Sequence, residues 1–130
     1  MTRRRLSSFL VAALTLIVAT QLVRAHHSEA AEFDATKPVK VTGTLKKVEW
    51  ANPHVWFYVE VKEADGTLTT WGFATAPPGA LMRRGLTKDV LKIGAVVNVE
   101  GVRARDGSTN ASSRRVTFAD GTNVFTGPAN

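Results

Sequence analysis

The stretch HVWFYVEVK, residues 54–62, alternates without a break. Val55, Phe57, Val59 and Val61 take one parity; His54, Trp56, Tyr58 and Glu60 take the other. A period of two is the signature of a strand with one face in a core and the other at least partly in solvent. An apolar set spaced this way lines no single stripe of a helix. The chain must therefore be built round a sheet.

Turn signals bracket this strand. Asn52-Pro53 precedes it and Asp65-Gly66 follows, after which residues 67–74 return as another strand carrying Trp71 and Phe73. Upstream, residues 39–50 are strand-like. Val39, Val41, Gly43 and Leu45 share one parity, but Val48 and Trp50 take the other, which predicts a bulge near Lys46-Lys47. Residues 26–38 are polar and read as an N-terminal arm closed by Pro38. Pro77-Pro78-Gly79 breaks the sheet. A short helix over 80–84 then stops at Gly85, and Thr87 caps a further turn through Val90-Leu91. Residues 95–104 form the next strand, with Val97 and Val99 alternating against Asn98 and Glu100 and a second bulge at Gly101. Residues 105–113 read as a polar loop, and residues 114–125 as a last hairpin turning at Asp120-Gly121.

Three strands, a helical connection and then further strands is the order of the OB-fold. The expected class is mainly β: a small OB-like five- to six-stranded barrel with one short helix between strands 3 and 4. A small sandwich or open barrel satisfies the same pattern.

Residues 1–25 read as an export signal. Arg3, Arg4 and Arg5 are followed by the apolar run FLVAALTLIVA and then by Val23-Arg24-Ala25, which suits cleavage after Ala25. The run is about half the length that a spanning helix needs. An uncleaved anchor and a twin-arginine signal are the competing readings. Cleavage predicts a periplasmic or secreted protein with no stable membrane span, an arm at 26–38 and a single domain at 39–130. It also changes the charge. The whole chain is +6, but losing Arg3, Arg4, Arg5 and Arg24 leaves 13 basic against 11 acidic residues, or +2. On that balance nucleic acid is not expected as a partner. The chain has no cysteine, so thiol catalysis, disulfides and thiolate metal sites are out.

Several motifs together resemble a family of small exported bacterial proteins known only as a domain of unknown function. They are Ala25-His26-His27-Ser28, Ala31-Glu32-Phe33-Asp34, Gly43-Thr44, Val48-Glu49-Trp50 leading into Asn52-Pro53-His54-Val55-Trp56, Trp71-Gly72-Phe73, Arg83-Arg84-Gly85, and Val99-Glu100-Gly101 with Asp106-Gly107. The resemblance spans essentially the whole mature chain. It implies export and one β domain, and it carries no catalytic residue to transfer.

Two constellations are candidates for function. The chain has three histidines, His26, His27 and His54. Cleavage after Ala25 makes His26 the first residue, so its α-amino group and imidazole form a chelate that His54 completes; His27 offers an alternative amine–amide–imidazole set. Both are rich in nitrogen and favour Cu(II), with Zn(II) or Ni(II) less suited. Glu29, Glu32 and Asp34 are candidate oxygen partners. The plainer account is a solvated N-terminus, with His54 hydrogen-bonding a turn carbonyl.

The second constellation is aromatic. Trp56 and Tyr58 share a parity with His54, and Trp71 and Trp50 lie nearby in sequence. Exposed, they are a face for a protein partner or a small apolar ligand. Alternatively the arm or the helix covers the rings as a second small core. Arg83, Arg84, Arg103, Arg105, Arg114 and Arg115 suggest an anion site or, more plainly, a solvated surface. No Ser/His/Asp order, carboxylate pair or phosphate loop stands out. Binding is therefore expected rather than catalysis.

Overall fold

The structure is a computed structural model in which residues 29–127 are described. It divides into two compact units, residues 1–32 and 33–130. Of the first, only 29–32 are described, and they are helical. The second is the barrel.

Its elements are β1 (Phe33–Glu49), β2 (Trp56–Lys62), β3 (Leu68–Ala74), α1 (Pro78–Arg83), β4 (Val96–Ala104), β5 (Asn110–Phe118) and β6 (Asn123–Thr126). The strands run in the order β3-β2-β1-β4-β5-β6, and β3 also pairs with β5. That extra pairing is parallel and short, Gly72 to Ala74 against Asn110 to Ser112, and it closes strands one to five into a barrel. The sixth strand extends the barrel as a hairpin on β5. This is the expected OB-like architecture.

The alternation in β2 does what its chemistry requires. Val55, Phe57, Val59 and Val61 are buried, with Phe57 stacked on its cross-strand partner Phe73 at 5.3 Å between centroids. Leu45, Val97, Val99, Ala111, Val116 and Phe125 complete the interior. Leu81 of the helix, with Leu86 and Leu91 of the following turn, joins the same cluster. The helix starts on a proline, whose missing N–H costs nothing there, and ends at Gly85, whose φ of +82° few other residues adopt.

Both expected bulges are present. Between Leu45 and Lys47 the β1–β2 register slips by one residue, leaving Lys46 as the extra one and switching the parity of everything after it. The second lies opposite Gly101, with Arg114 of β5 as its extra residue. A Cβ on Gly101 would collide with the Ser112 carbonyl oxygen, so only glycine permits this approach.

Two boundaries differ from the sequence reading. The arm was expected to run to Pro38, but β1 begins at Phe33, which pairs with Ala104. Phe33 is buried with Ala74, Val102 and Ala104, and that burial extends the strand through a polar stretch. The polar loop expected over 105–113 ends at Thr109. Asn110, Ala111 and Ser112 are drawn into β5 by pairing with β3, and Ala111 is fully buried. Among the described residues no helix is long and apolar enough to cross a membrane.

Candidate functional site

The outward parity of β2 carries the site. Trp56 and Tyr58 stand two residues apart, as successive same-face residues do. Their rings are 6.5 Å apart and within 21° of parallel. Both are half-buried. They extend over β3 at Gly72, the cross-strand partner of Tyr58. A Cβ there would lie 3.3 Å from Tyr58 Cε1, 3.5 Å from Trp56 Cζ3 and 2.5 Å from Asn110 Oδ1. The missing side chain makes the bed on which these groups meet. A glycine between two aromatic residues inside a strand, Trp71-Gly72-Phe73, is the signal that marks such a close approach.

Trp56 also packs against the small cluster of Phe33, Ala74, Val102 and Ala104. The second small core considered from the sequence therefore exists, built by Phe33 at the head of β1, and it covers Trp56 in part.

Tyr58 is held at its other end. Its hydroxyl donates to Glu49 Oε2 at 3.0 Å, Glu49 Oε1 accepts from Lys47 Nζ at 2.5 Å, and the same ammonium sits 5.4 Å from the Tyr58 ring centre. Lys47 and Glu49 follow the bulge on β1 and are the cross-strand partners of Tyr58 and Trp56. The ammonium and the phenol hold the Glu49 carboxyl below its ordinary pKa, and the carboxylate raises that of Lys47. Desolvation, then the hydrogen bond to Glu49, pushes the Tyr58 hydroxyl up. The phenol stays neutral and its orientation is fixed. A second ion pair, Lys46 with Glu60 at 3.3 Å, lies further along the same two strands. Neither pair was anticipated from the sequence, because the bulge decides which β1 side chains face this way.

The other two tryptophans do not join this face. Trp71 is the partner of Val59 and stacks at 6.2 Å on Phe73, so it takes the inward parity; the Arg103 guanidinium lies 5.5 Å from its ring centre. Trp50 packs against the main core. The expected face of Trp50, Trp56, Tyr58 and Trp71 is thus reduced to Trp56 and Tyr58.

His54 is exposed just before β2, and its Nδ1 lies 2.7 Å from the Thr75 carbonyl. His26 and His27 lie outside the described residues. Glu29 and Glu32 are exposed on the helical residues of the first unit. Asp34 lies at the start of β1 and is engaged by its near neighbours. Thr36 donates to it from N–H and hydroxyl at 3.0 and 2.7 Å, which holds its carboxyl below the ordinary value, and Lys37 and Arg105 stand near its other oxygen. Among the described residues no three metal-ligating side chains cluster. The arginines are dispersed: Arg103 donates to the Ser108 and Gly107 carbonyls, Arg84 to Thr126 and Arg105 pairs with Asp34.

Solved structures of similar fold include the mitochondrial single-stranded DNA binding protein Rim1 of S. cerevisiae, at a TM-score of 0.50 and 11% identity, covering 71% of this chain and 97% of that one. Another is the dimeric N-terminal domain of PriB from Thermoanaerobacter tencongensis, at 0.47 and 15%, covering 65% and 97%. At such identities the likeness is one of fold. It nevertheless corrects the expectation that nucleic acid is no partner. That expectation rested on a mature charge near neutrality. The barrel is shared with a single-stranded DNA binding protein, so net charge does not decide the ligand. Among curated proteins none matches the chain. Residues 13–113 match the model of a family of unknown function, DUF6152, and to that family the chain belongs.

Proposed function

We propose that the protein is an exported binding module that holds a ring-bearing ligand by stacking it on Trp56 and Tyr58. The observation that carries this reading is the pair itself: two near-parallel rings laid in series over Gly72 on the outer face of β2–β3. OB barrels bind oligonucleotides and oligosaccharides on this face. Stacking on aromatic side chains contributes about 1–3 kcal/mol per base and tolerates many rings. The hydrogen bond from Tyr58 to Glu49 fixes one ring before any ligand arrives, which reduces the ordering cost of binding. Single-stranded DNA, for whose binding the yeast protein of similar fold is named, is the first ligand to try, with an oligosaccharide beside it.

Tryptophan fluorescence tests the reading. A single-stranded 15-mer or cellohexaose should quench the wild-type emission. Trp56→Ala should abolish that response, and Trp71→Ala should leave the affinity intact. Quenching that survives Trp56→Ala would contradict it. Export is tested by N-terminal sequencing of the protein recovered outside the cytoplasm, which should begin at His26.

A second reading is favoured by one contact. A carbonyl only accepts, so at 2.7 Å from the Thr75 oxygen His54 Nδ1 is the donor, and Nε2 is left outside that hydrogen bond. Metal-binding imidazoles are commonly oriented in this way. With His26 and His27 at a free N-terminus, His54 would complete a Cu(II) site. EPR of the copper-titrated mature protein should then show nitrogen hyperfine structure that disappears in His54→Ala.

A further inference from the structure

The stacking face has a polar component that the rings alone do not explain. Asn110 begins β5 where the barrel closes, and its pairing with Gly72 fixes its position beside the rings. The point where a Gly72 Cβ would stand is within 3.5 Å of Asn110 Oδ1, Tyr58 Cε1 and Trp56 Cζ3. An amide and two aromatic edges thus converge on one spot of sheet. The Asn110 side chain takes part in no hydrogen bond with another described residue, and the residue is only half-buried. A carboxamide offers a donor and an acceptor side by side. Asn110 stands half-buried beside the two rings, its oxygen against Gly72.

From this convergence, and resting on the stacking reading above, we infer that Asn110 reads the hydrogen-bonding edge of a nucleobase in a single strand stacked on Trp56 and Tyr58. Three features favour a nucleobase. The platforms repeat along one strand, which suits a polymer of flat rings. A base presents donor and acceptor groups in fixed positions on its edge, the complement of an amide; a sugar hydroxyl serves as either and leaves an amide little to discriminate. Lysines stand on one side of the row and at its end, Lys46 and Lys47 on β1 and Lys62 closing β2. Lys46 and Lys47 are already paired with Glu60 and Glu49. A phosphate must displace a carboxylate to reach either, so the salt dependence of binding should be shallow for a nucleic-acid ligand.

The experiment is a set of fluorescence titrations with dA, dC and dT 15-mers, on wild type, Asn110→Ala and Asn110→Asp, each variant first shown to melt cooperatively. Wild type should prefer one homopolymer by about tenfold or more, the discrimination of a good amide–base pair. Asn110→Ala should retain binding and bring the three affinities within about threefold, since stacking alone is sequence-tolerant. Asn110→Asp keeps only acceptors and should shift preference toward the amino-bearing bases of dA and dC. Gly72→Ala, which places a methyl group against the amide, should erase the preference as Asn110→Ala does. Equal wild-type affinities, a preference unchanged in Asn110→Ala, or no response to any oligonucleotide would overturn the inference. If cellohexaose still quenches through Trp56 while no oligonucleotide binds, the nucleobase assignment falls and the stacking reading stands. If neither binds, both fall.

Discussion

The two faces of β2 share one backbone and have opposite fates. Inward, Val55, Phe57 and Val59 are sealed in a continuous core. Outward, Trp56, Tyr58 and Glu60 stay half-buried, and each touches a polar or small neighbour: Glu49, Lys46, Gly72. The inner face is made of shapes that any well-packed barrel needs. The outer face holds two large rings that reach over Gly72, Trp56 partly covered by the small Phe33 cluster and Tyr58 bonded to Glu49. Burial explains the first set; packing on the Phe33 cluster and the bond to Glu49 hold the second, on which the proposed stacking would occur.

The largest expected difference between the faces is in stability. Phe57→Ala should cost about 3–5 kcal/mol in denaturant unfolding, as the removal of buried rings does. If it costs no more than Trp56→Ala, the contrast between the faces is lost. Next comes Gly101→Ala, which drives a methyl group into the Ser112 carbonyl and should cost about 1–3 kcal/mol by overpacking. A neutral result there would mean that the second bulge adapts freely. Trp56→Ala removes a half-buried ring and should cost about 1–2 kcal/mol, less than a fully buried one, while abolishing ligand-induced quenching. An equally large stability loss in Trp56→Ala and Phe57→Ala would make Trp56 a core residue.

The smallest effect is that of acid. Asp65, Asp106 and Asp120 each accept from the N–H two residues on, in Asp-Gly-Thr or Asp-Gly-Ser turns. All three carboxyls are held below their ordinary value of 3.8, Asp65 and Asp106 chiefly by the side chains of Thr67 and Ser108 and then by these N–H groups, Asp120 chiefly by the Thr122 N–H and then by its side chain. A depressed folded-state pKa gives stability that is fully present above the unfolded value and lost as the pH falls through the folded one. Melting temperature should therefore hold steady down to about pH 5 and then decline. Asp65→Asn should flatten the decline slightly and leave ligand binding unchanged; a change in binding would tie the hairpin tip to the site.

Much of the barrel was legible because β2 and β4 alternate and because parity changes betray bulges. Lys46 was found in this way from Val48 and Trp50. The starts of β1 and β5 were not legible. Asp34-Ala35-Thr36-Lys37 and Asn110-Ala111-Ser112 are locally polar, and only partners distant in sequence, Ala104 for Phe33 and Gly72 for Asn110, make strands of them. The site was half legible. Trp56 and Tyr58 follow from parity. Trp71 was misplaced because parity must be counted from Phe73, which the core requires, so Trp71 shares the inward side. Asn110 was hidden for the same reason as the start of β5: barrel closure, not sequence proximity, brings it to the rings.

The most direct test uses the indole N–H signals of the three tryptophans, one on the outer face and two packed on the core. The signals are assigned by single substitution and followed by NMR during titration with the oligonucleotide or sugar that quenches fluorescence. The account predicts that the Trp56 signal moves while those of Trp50 and Trp71 hold their positions. Movement of Trp71 or Trp50 with Trp56 unchanged would place the ligand elsewhere on the barrel and contradict the central claim.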